Sequence, residues 1–145
     1  MKTSKQGLDL IKKYEGLRLK PYLCSAGVPT IGYGSTFYPD GRKVTVKDDP
    51  ITEAQAEELL AKTVEKFEDL VSRKIKVKLT QNQFDALVSH TFNTGGSETL
   101  FGLINRKAAT GQIKEWWTKK YITAKGVTLT GLIRRRAEEF ELYIK

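Results

Sequence analysis

Cysteine and histidine are almost missing from this chain: among 145 residues there is one of each, Cys24 and His90. A single cysteine excludes an intrachain disulfide, and one cysteine with one histidine cannot supply the ligand set of a zinc site. No apolar run approaches the roughly 18 residues that a bilayer-spanning helix needs. The first residues, Met1-Lys2-Thr3-Ser4-Lys5-Gln6-Gly7, lack the apolar stretch of a signal peptide. We therefore expect synthesis in a reducing compartment, no stable membrane insertion, and a separate means of exit if the target lies outside the cytoplasm. CxxC, HExxH, a Gly-rich phosphate loop and GxSxG are also absent, and no cofactor or metal is expected.

What is present begins with charge. Lys plus Arg is 25 against 17 acidic residues, a formal net charge of +8. Such a surplus attracts polyanions, whether nucleic acid, anionic membrane or an acidic cell wall, and charge alone does not choose among them. No helix-turn-helix signal or aromatic RNA-reading motif accompanies it, so nucleic acid is not the expected partner. At 39% hydrophobic, with two Trp, six Phe and six Tyr, the chain can bury one core or two small lobes sharing one.

The patterning predicts an α+β fold. Ser4 can cap a first helix carrying Leu8, Ile11 and Tyr14, which Gly16 stops, leaving Glu15 in the last turn. Residues 28–34 and 43–46 read as strands separated by the turn signal Pro39-Asp40-Gly41, a small β-meander. Thr52 with Gln55 forms a capping box for a helix of about twenty residues, whose stripe includes Leu59, Leu60, Val64, Phe67 and Val71. Thr80 with Gln83 is a second capping box, and Asn93-Thr94-Gly95-Gly96 ends that helix. Shorter helices are expected over 100–109 and 113–121, with Thr130 capping a last one. The expected layout is a small N-terminal lobe over about 14–55, a connecting helix over about 52–73, and a helical C-terminal lobe over about 79–145 joined by the N-terminal helix 4–15. Clefts between lobes are usual ligand sites.

The stretch 14–34 concentrates a carboxyl, a thiol and a hydroxyl between a helix end and a strand, a usual setting for catalytic groups. On the residues alone, Glu15 can equally be a surface acid, Cys24 a small buried hydrophobe and Thr30 a strand residue. His90 reads as a helix-face histidine, and Asp40, Asp48 and Asp49 as turn or capping residues.

These segments resemble the phage-type lysozymes, or endolysins, of glycoside hydrolase family 24. The family pattern is Glu, eight residues, Asp or Cys, five residues, Thr, and here Glu15, Cys24 and Thr30 stand at that spacing. Glu15-Gly16-Leu17-Arg18-Leu19 and Thr30-Ile31-Gly32-Tyr33-Gly34 flank it. A second signature is Leu79-Thr80-Gln81-Asn82-Gln83-Phe84-Asp85-Ala86-Leu87-Val88 with Phe92-Asn93-Thr94-Gly95. A third is Gly131-Leu132-Ile133-Arg134-Arg135-Arg136 with Glu139. The three occur in order along nearly the whole chain.

The resemblance implies a phage-lysozyme-like fold and an N-acetylmuramidase acting on bacterial peptidoglycan. It casts Glu15 as the general acid, a role that needs its carboxyl protonated at working pH. It casts Cys24, where many members carry Asp, with Thr30 as the pair that activates water. Inversion of configuration is the expected outcome, while the nucleophilicity of a thiolate keeps a retaining route open. Phe92 and Asn93 match substrate-binding positions, with a core role for Phe92 also open. Arg135 matches an arginine behind the catalytic glutamate, with Arg134 and Arg136 as alternative registers, and Glu139 can pair with Arg135 at i,i+4. Ser35 stands where many relatives have His. Trp116, Trp117 and Tyr121 are expected to pack the helical lobe. The implied protein is a monomer held in the host cytoplasm until a separate holin-type protein releases it. A wall-binding module impaired by the Cys24 substitution is the alternative.

Overall fold

The computed structural model describes residues 1–145. It contains six helices and two two-stranded antiparallel sheets, the mixed architecture that the patterning predicts. By contact the chain divides into two compact units, Ile11–Lys66 and a second made of Met1–Leu10 with Phe67–Lys145.

The unit Ile11–Lys66 takes the end of α1 (Lys5–Glu15), the strands β1 (Arg18–Leu23) and β2 (Pro29–Gly32), and most of α2 (Glu53–Lys74). β1 pairs antiparallel with β2, Tyr22 opposite Thr30 and Leu23 opposite Pro29, with an irregularity between Arg18 and Tyr22. The chain continues through single bridges, Ile31 with Ser35 and Phe37 with Lys43. The run 43–46 therefore joins at one bridge rather than as a strand. Tyr38 N–H donates to the Arg42 carbonyl at 2.9 Å across the Asp40-Gly41 turn, where Gly41 holds φ +89°. Ile31, Val44 and Leu59 form the buried centre of this unit, with Tyr38 and Ile51 packed against it. α2 starts at its capping box: the Thr52 N–H donates to Gln55 Oε1 (2.8 Å) and the Gln55 N–H to Thr52 Oγ1 (3.1 Å).

The other unit is helical: α3 (Gln81–Thr94), α4 (Glu98–Asn105), α5 (Thr110–Lys119) and α6 (Thr130–Tyr143), with a short exposed hairpin of β3 (Thr123–Ala124) and β4 (Val127–Thr128). Thr80 and Gln83 make the reciprocal capping box of α3, and Gly95 closes it in the left-handed conformation. α6 packs on α3 and α5 around the fully buried Trp117, whose ring meets His90, Phe140 and Tyr143. Each such large apolar side chain contributes roughly 1.5–3 kcal/mol on burial.

Of two expected caps, one is replaced. Ser4 directly precedes α1 and its carbonyl accepts from the Leu8 N–H at 3.0 Å; it also donates its hydroxyl to Asp85 Oδ2 on α3, and its N–H to Oδ1 at 3.0 Å, so it ties the chain start to α3. Gly7 permits that approach, since a Cβ there would lie 2.8 Å from the Asp85 side chain. Thr130 is the first residue of α6, and its N-cap, Leu129, has no capping side chain.

Candidate active site

Glu15 is the last residue of α1. The helix stops there because Gly16 takes φ +72° while its N–H still donates to the Lys12 carbonyl at 3.0 Å. The Glu15 side chain is half-buried and lies against Gly34: a Cβ built on Gly34 would stand 3.1 Å from Glu15 Oε1. Gly34 itself holds φ +91°. Glycine is thus required twice over, by the backbone conformation and by the carboxyl that occupies the space of a side chain. Next to it, the buried Ser35 hydroxyl meets Thr63 Oγ1 on α2 at 3.0 Å. The position of Ser35 thus holds a neutral hydroxyl pair.

Cys24 and Thr30 are brought together on the β1–β2 hairpin. Cys24 follows β1 and opens the turn into β2: its N–H donates to the Val28 carbonyl (3.0 Å) and its carbonyl accepts from the Gly27 N–H (2.8 Å). The Val28 and Ala26 N–H groups belong to the same turn, and Thr30 stands two residues further on, in β2. These donors hold the Cys24 thiol below its ordinary value, Val28 first, because they stabilise the thiolate. Thr30 is buried, and its hydroxyl donates to the Val28 carbonyl at 2.8 Å. The amide donors of the turn are invisible in the sequence, since any residue supplies an N–H and only the turn geometry aims it.

The residues expected on α3 and α6 lie in the helical unit. Arg135 is buried and bonds Glu139 Oε2 at 3.2 Å and the Ser89 carbonyl at 3.3 Å. Arg136, fully buried, donates to Asn93 Oδ1 at 2.8 Å and to Glu139 Oε2 at 3.2 Å. Glu139 also accepts from the Ser89 hydroxyl (2.6 Å) and from Trp117 Nε1 (3.3 Å). One carboxylate therefore serves two guanidinium groups, a hydroxyl and an indole. The i,i+4 pair was legible, whereas the contributions of Ser89 and Trp117 depend on helix packing. Asn93 is exposed, with its amide N–H₂ left to donate, and the half-buried Phe92 packs its ring 5.2 Å from that of Phe67.

The other acidic candidates are accounted for locally. Asp40 binds Arg42 across its own turn, at 2.8 Å to Nε. Asp48 accepts from the Tyr38 hydroxyl at 2.7 Å and from Thr45 at 2.6 Å, which pulls its carboxyl down to about 2. Asp49 is exposed. No three His, Cys, Asp or Glu side chains converge as a metal site requires.

Residues 12–139 match the family described as phage lysozyme. The chain is 41% identical to an endolysin of Acyrthosiphon pisum secondary endosymbiont phage 1, over 99% of this chain and 98% of that protein. It spans about half the length of the Bacillus phage endolysins that it also matches. The solved endolysin of Escherichia coli O157:H7 phage FAHEc1 superposes with a TM-score of 0.84 at 42% identity, covering 100% of this chain and 94% of that one. The muramidase domain of SpmX from Asticaccaulis excentricus superposes with a TM-score of 0.83 at 32% identity, covering 99% of this chain and 98% of that one. Family match, near-full-length relatives and shared fold coincide on the same residues, and the chain belongs to the phage lysozyme family.

Proposed function

We propose that this lysozyme hydrolyses the β-1,4 bond between N-acetylmuramic acid and N-acetylglucosamine in peptidoglycan, with Glu15 as general acid and Cys24 with Thr30 activating water. The observation that supports the assignment is the β1–β2 hairpin, which opens its turn at Cys24 and directs the buried Thr30 hydroxyl to the Val28 carbonyl of that same turn. Glu15 sits in the same compact unit, at the helix end, against a backbone without a side chain.

Glu15 gives its proton to the glycosidic oxygen as the C–O bond breaks and oxocarbenium character develops at the sugar. A water attacks the opposite face, forms the new C–O bond and yields its proton to the Cys24 thiolate. Thr30, whose own proton is directed to the Val28 carbonyl, keeps lone pairs free to accept a hydrogen bond from that water and turn its oxygen toward the sugar. The products have inverted configuration. Phe92 and Asn93 serve as glycan contacts, one through its ring face and the other through its amide donors. The protein acts as a monomer, and a separate membrane-permeabilising protein releases it from the host cytoplasm. No helix is long and apolar enough to cross a membrane.

Mass spectrometry of fragments from digested peptidoglycan tests the bond assignment. Reducing-end N-acetylmuramic acid is expected, and reducing-end N-acetylglucosamine overturns it. NMR of the first product anomer tests inversion, which a retained configuration contradicts. Glu15→Gln should fold and lose wall clearance; full activity in that variant removes Glu15 from the role. Wall binding by the unaltered protein without turnover would support the impaired-module alternative.

A further inference from the structure

A cavity of about 490 Å³ opens in the helical unit, lined by none of the residues assigned to catalysis. Its apolar wall is Val77, Leu79, Ile104 and Ile113, and no carboxylate lines it. Its charged groups are all lysines. Lys76 is engaged, donating to the Arg73 carbonyl at 2.6 Å, but Lys78 and Lys107 have no protein partner.

Two further groups of donors meet there. α5 begins at the cavity with Thr110, and its N-cap, Ala109, offers no side-chain acceptor. The Gln112 and Ile113 N–H groups turn back to the Ala109 carbonyl, while those of Thr110 and Gly111 find no acceptor in the protein. An uncapped ten-residue helix therefore presents two amide donors and its positive end. Independently, Tyr143 lines the cavity at 8% exposure, and its hydroxyl has no protein hydrogen-bond partner.

The placement of Lys107 is set by the chain itself. The Lys107 N–H donates to the Ile104 carbonyl and the Ala108 N–H to the Leu103 carbonyl, both at 3.0 Å, a Schellman ending of α4 with Lys107 at its left-handed position, φ +55°. Three residues later α5 starts, so the α4 ending and the α5 beginning bring Lys107 and the first residue of α5, Thr110, to one cavity.

We propose that this cavity is a phosphate-binding site, taking a phosphate monoester or diester whose small apolar body rests on Val77, Leu79, Ile104 and Ile113. The phosphate oxygens accept from the α5 amides, the Tyr143 hydroxyl and the ammonium groups of Lys78 and Lys107. The chemistry is shared by a glycerol-phosphate wall polymer and by a phospholipid headgroup.

The test is an ¹⁵N-edited NMR titration of the intact protein with glycerol 3-phosphate and, separately, with dihexanoylphosphatidylglycerol below its micelle concentration. Saturable shifts of the Thr110 and Gly111 amides are expected with at least one. Tighter binding of glycerol 3-phosphate assigns the wall-polymer source, and tighter binding of the lipid assigns the headgroup. Lys107→Gly removes the ammonium and keeps the left-handed corner, Lys78→Gln acts on an exposed side chain, and Tyr143→Phe keeps the ring. Each should weaken binding about tenfold, the scale of one lost charged or buried hydrogen bond. Unmoved amides with both ligands overturn the proposal, as does equal affinity in all three variants. Wall clearance by Lys107→Gly should match that of the unaltered protein, so loss of phosphate binding and loss of lysozyme activity are read separately.

Discussion

His90 offers a stability test with a calculable size. It lies fully buried on α3 between the rings of Trp116, Trp117 and Tyr121, with centroids at 6.1, 5.4 and 5.6 Å. Its Nδ1 stands 3.4 Å from the Thr94 hydroxyl, which donates to the His90 carbonyl, and its Nε2 has no partner. Burial, reinforced by Arg136 and Arg135, pulls the imidazole from 6.5 down to about 3. The folded protein therefore refuses a proton that the unfolded chain accepts below 6.5. Stability is full above that value and falls as the pH drops toward 3. The loss attributable to His90 is about 2 kcal/mol at pH 5 and about 4 kcal/mol at pH 3, at 1.36 kcal/mol per pKa unit.

His90→Phe isolates this contribution from that of the carboxylates, because it keeps a ring where Nε2 makes no hydrogen bond. Denaturant midpoints of both proteins at pH 8 and pH 5 should show the stability gap moving by about 2 kcal/mol in favour of the variant at the lower pH. As the only histidine, His90 also gives one imidazole signal by NMR. A stability gap independent of pH, or an imidazole titrating near its ordinary value in the folded protein, refutes the reasoning.

Glu139→Gln strips the counter-charge from Arg135 and Arg136 and should cost about 3–5 kcal/mol in chemical denaturation, since two buried guanidinium groups lose their shared carboxylate. Gly34→Ala forces an L-residue to φ +91° and a methyl to 3.1 Å from Glu15 Oε1, so kcat should fall together with a stability loss of about 1–3 kcal/mol. Alkylation or peroxide treatment should inactivate the enzyme through Cys24, faster as pH rises toward the thiol's lowered pKa, whereas Cys24→Asp should resist both agents and retain turnover. Undiminished clearance after complete alkylation would contradict the role given to the sulfur.

Sequence legibility followed the range of the physics involved. The capping boxes of α2 and α3, the Gly16 stop and the Gly95 stop were readable because each is settled within a few residues of chain. β1 was not marked as a strand: Arg18-Leu19-Lys20-Pro21-Tyr22-Leu23 is largely exposed, has no alternation and contains a proline. The hairpin of β3 and β4 is two exposed residues on each side, too short for a period. Thr130 was credited with a cap on residue type and is the first residue of α6 instead. Ser4 precedes α1 as expected, while the tie of its side chain to Asp85, 81 positions away, was not readable.

The residues proposed for the chemistry follow the same division. The spacing of Glu15, Cys24 and Thr30, and the family to which it belongs, are properties of the sequence by itself. So are the helix end that carries Glu15 and the glycine beside it, because backbone conformation is dictated locally. What surrounds those groups was decided by tertiary structure. The closure of Gly34 on Glu15, the Ser89 hydroxyl and Trp117 indole brought to the Glu139 carboxylate, and the aromatic cage of His90 all join groups from separate segments. Hydrogen bonding and desolvation depend on distances that no run of residues contains, and only the packed chain sets them.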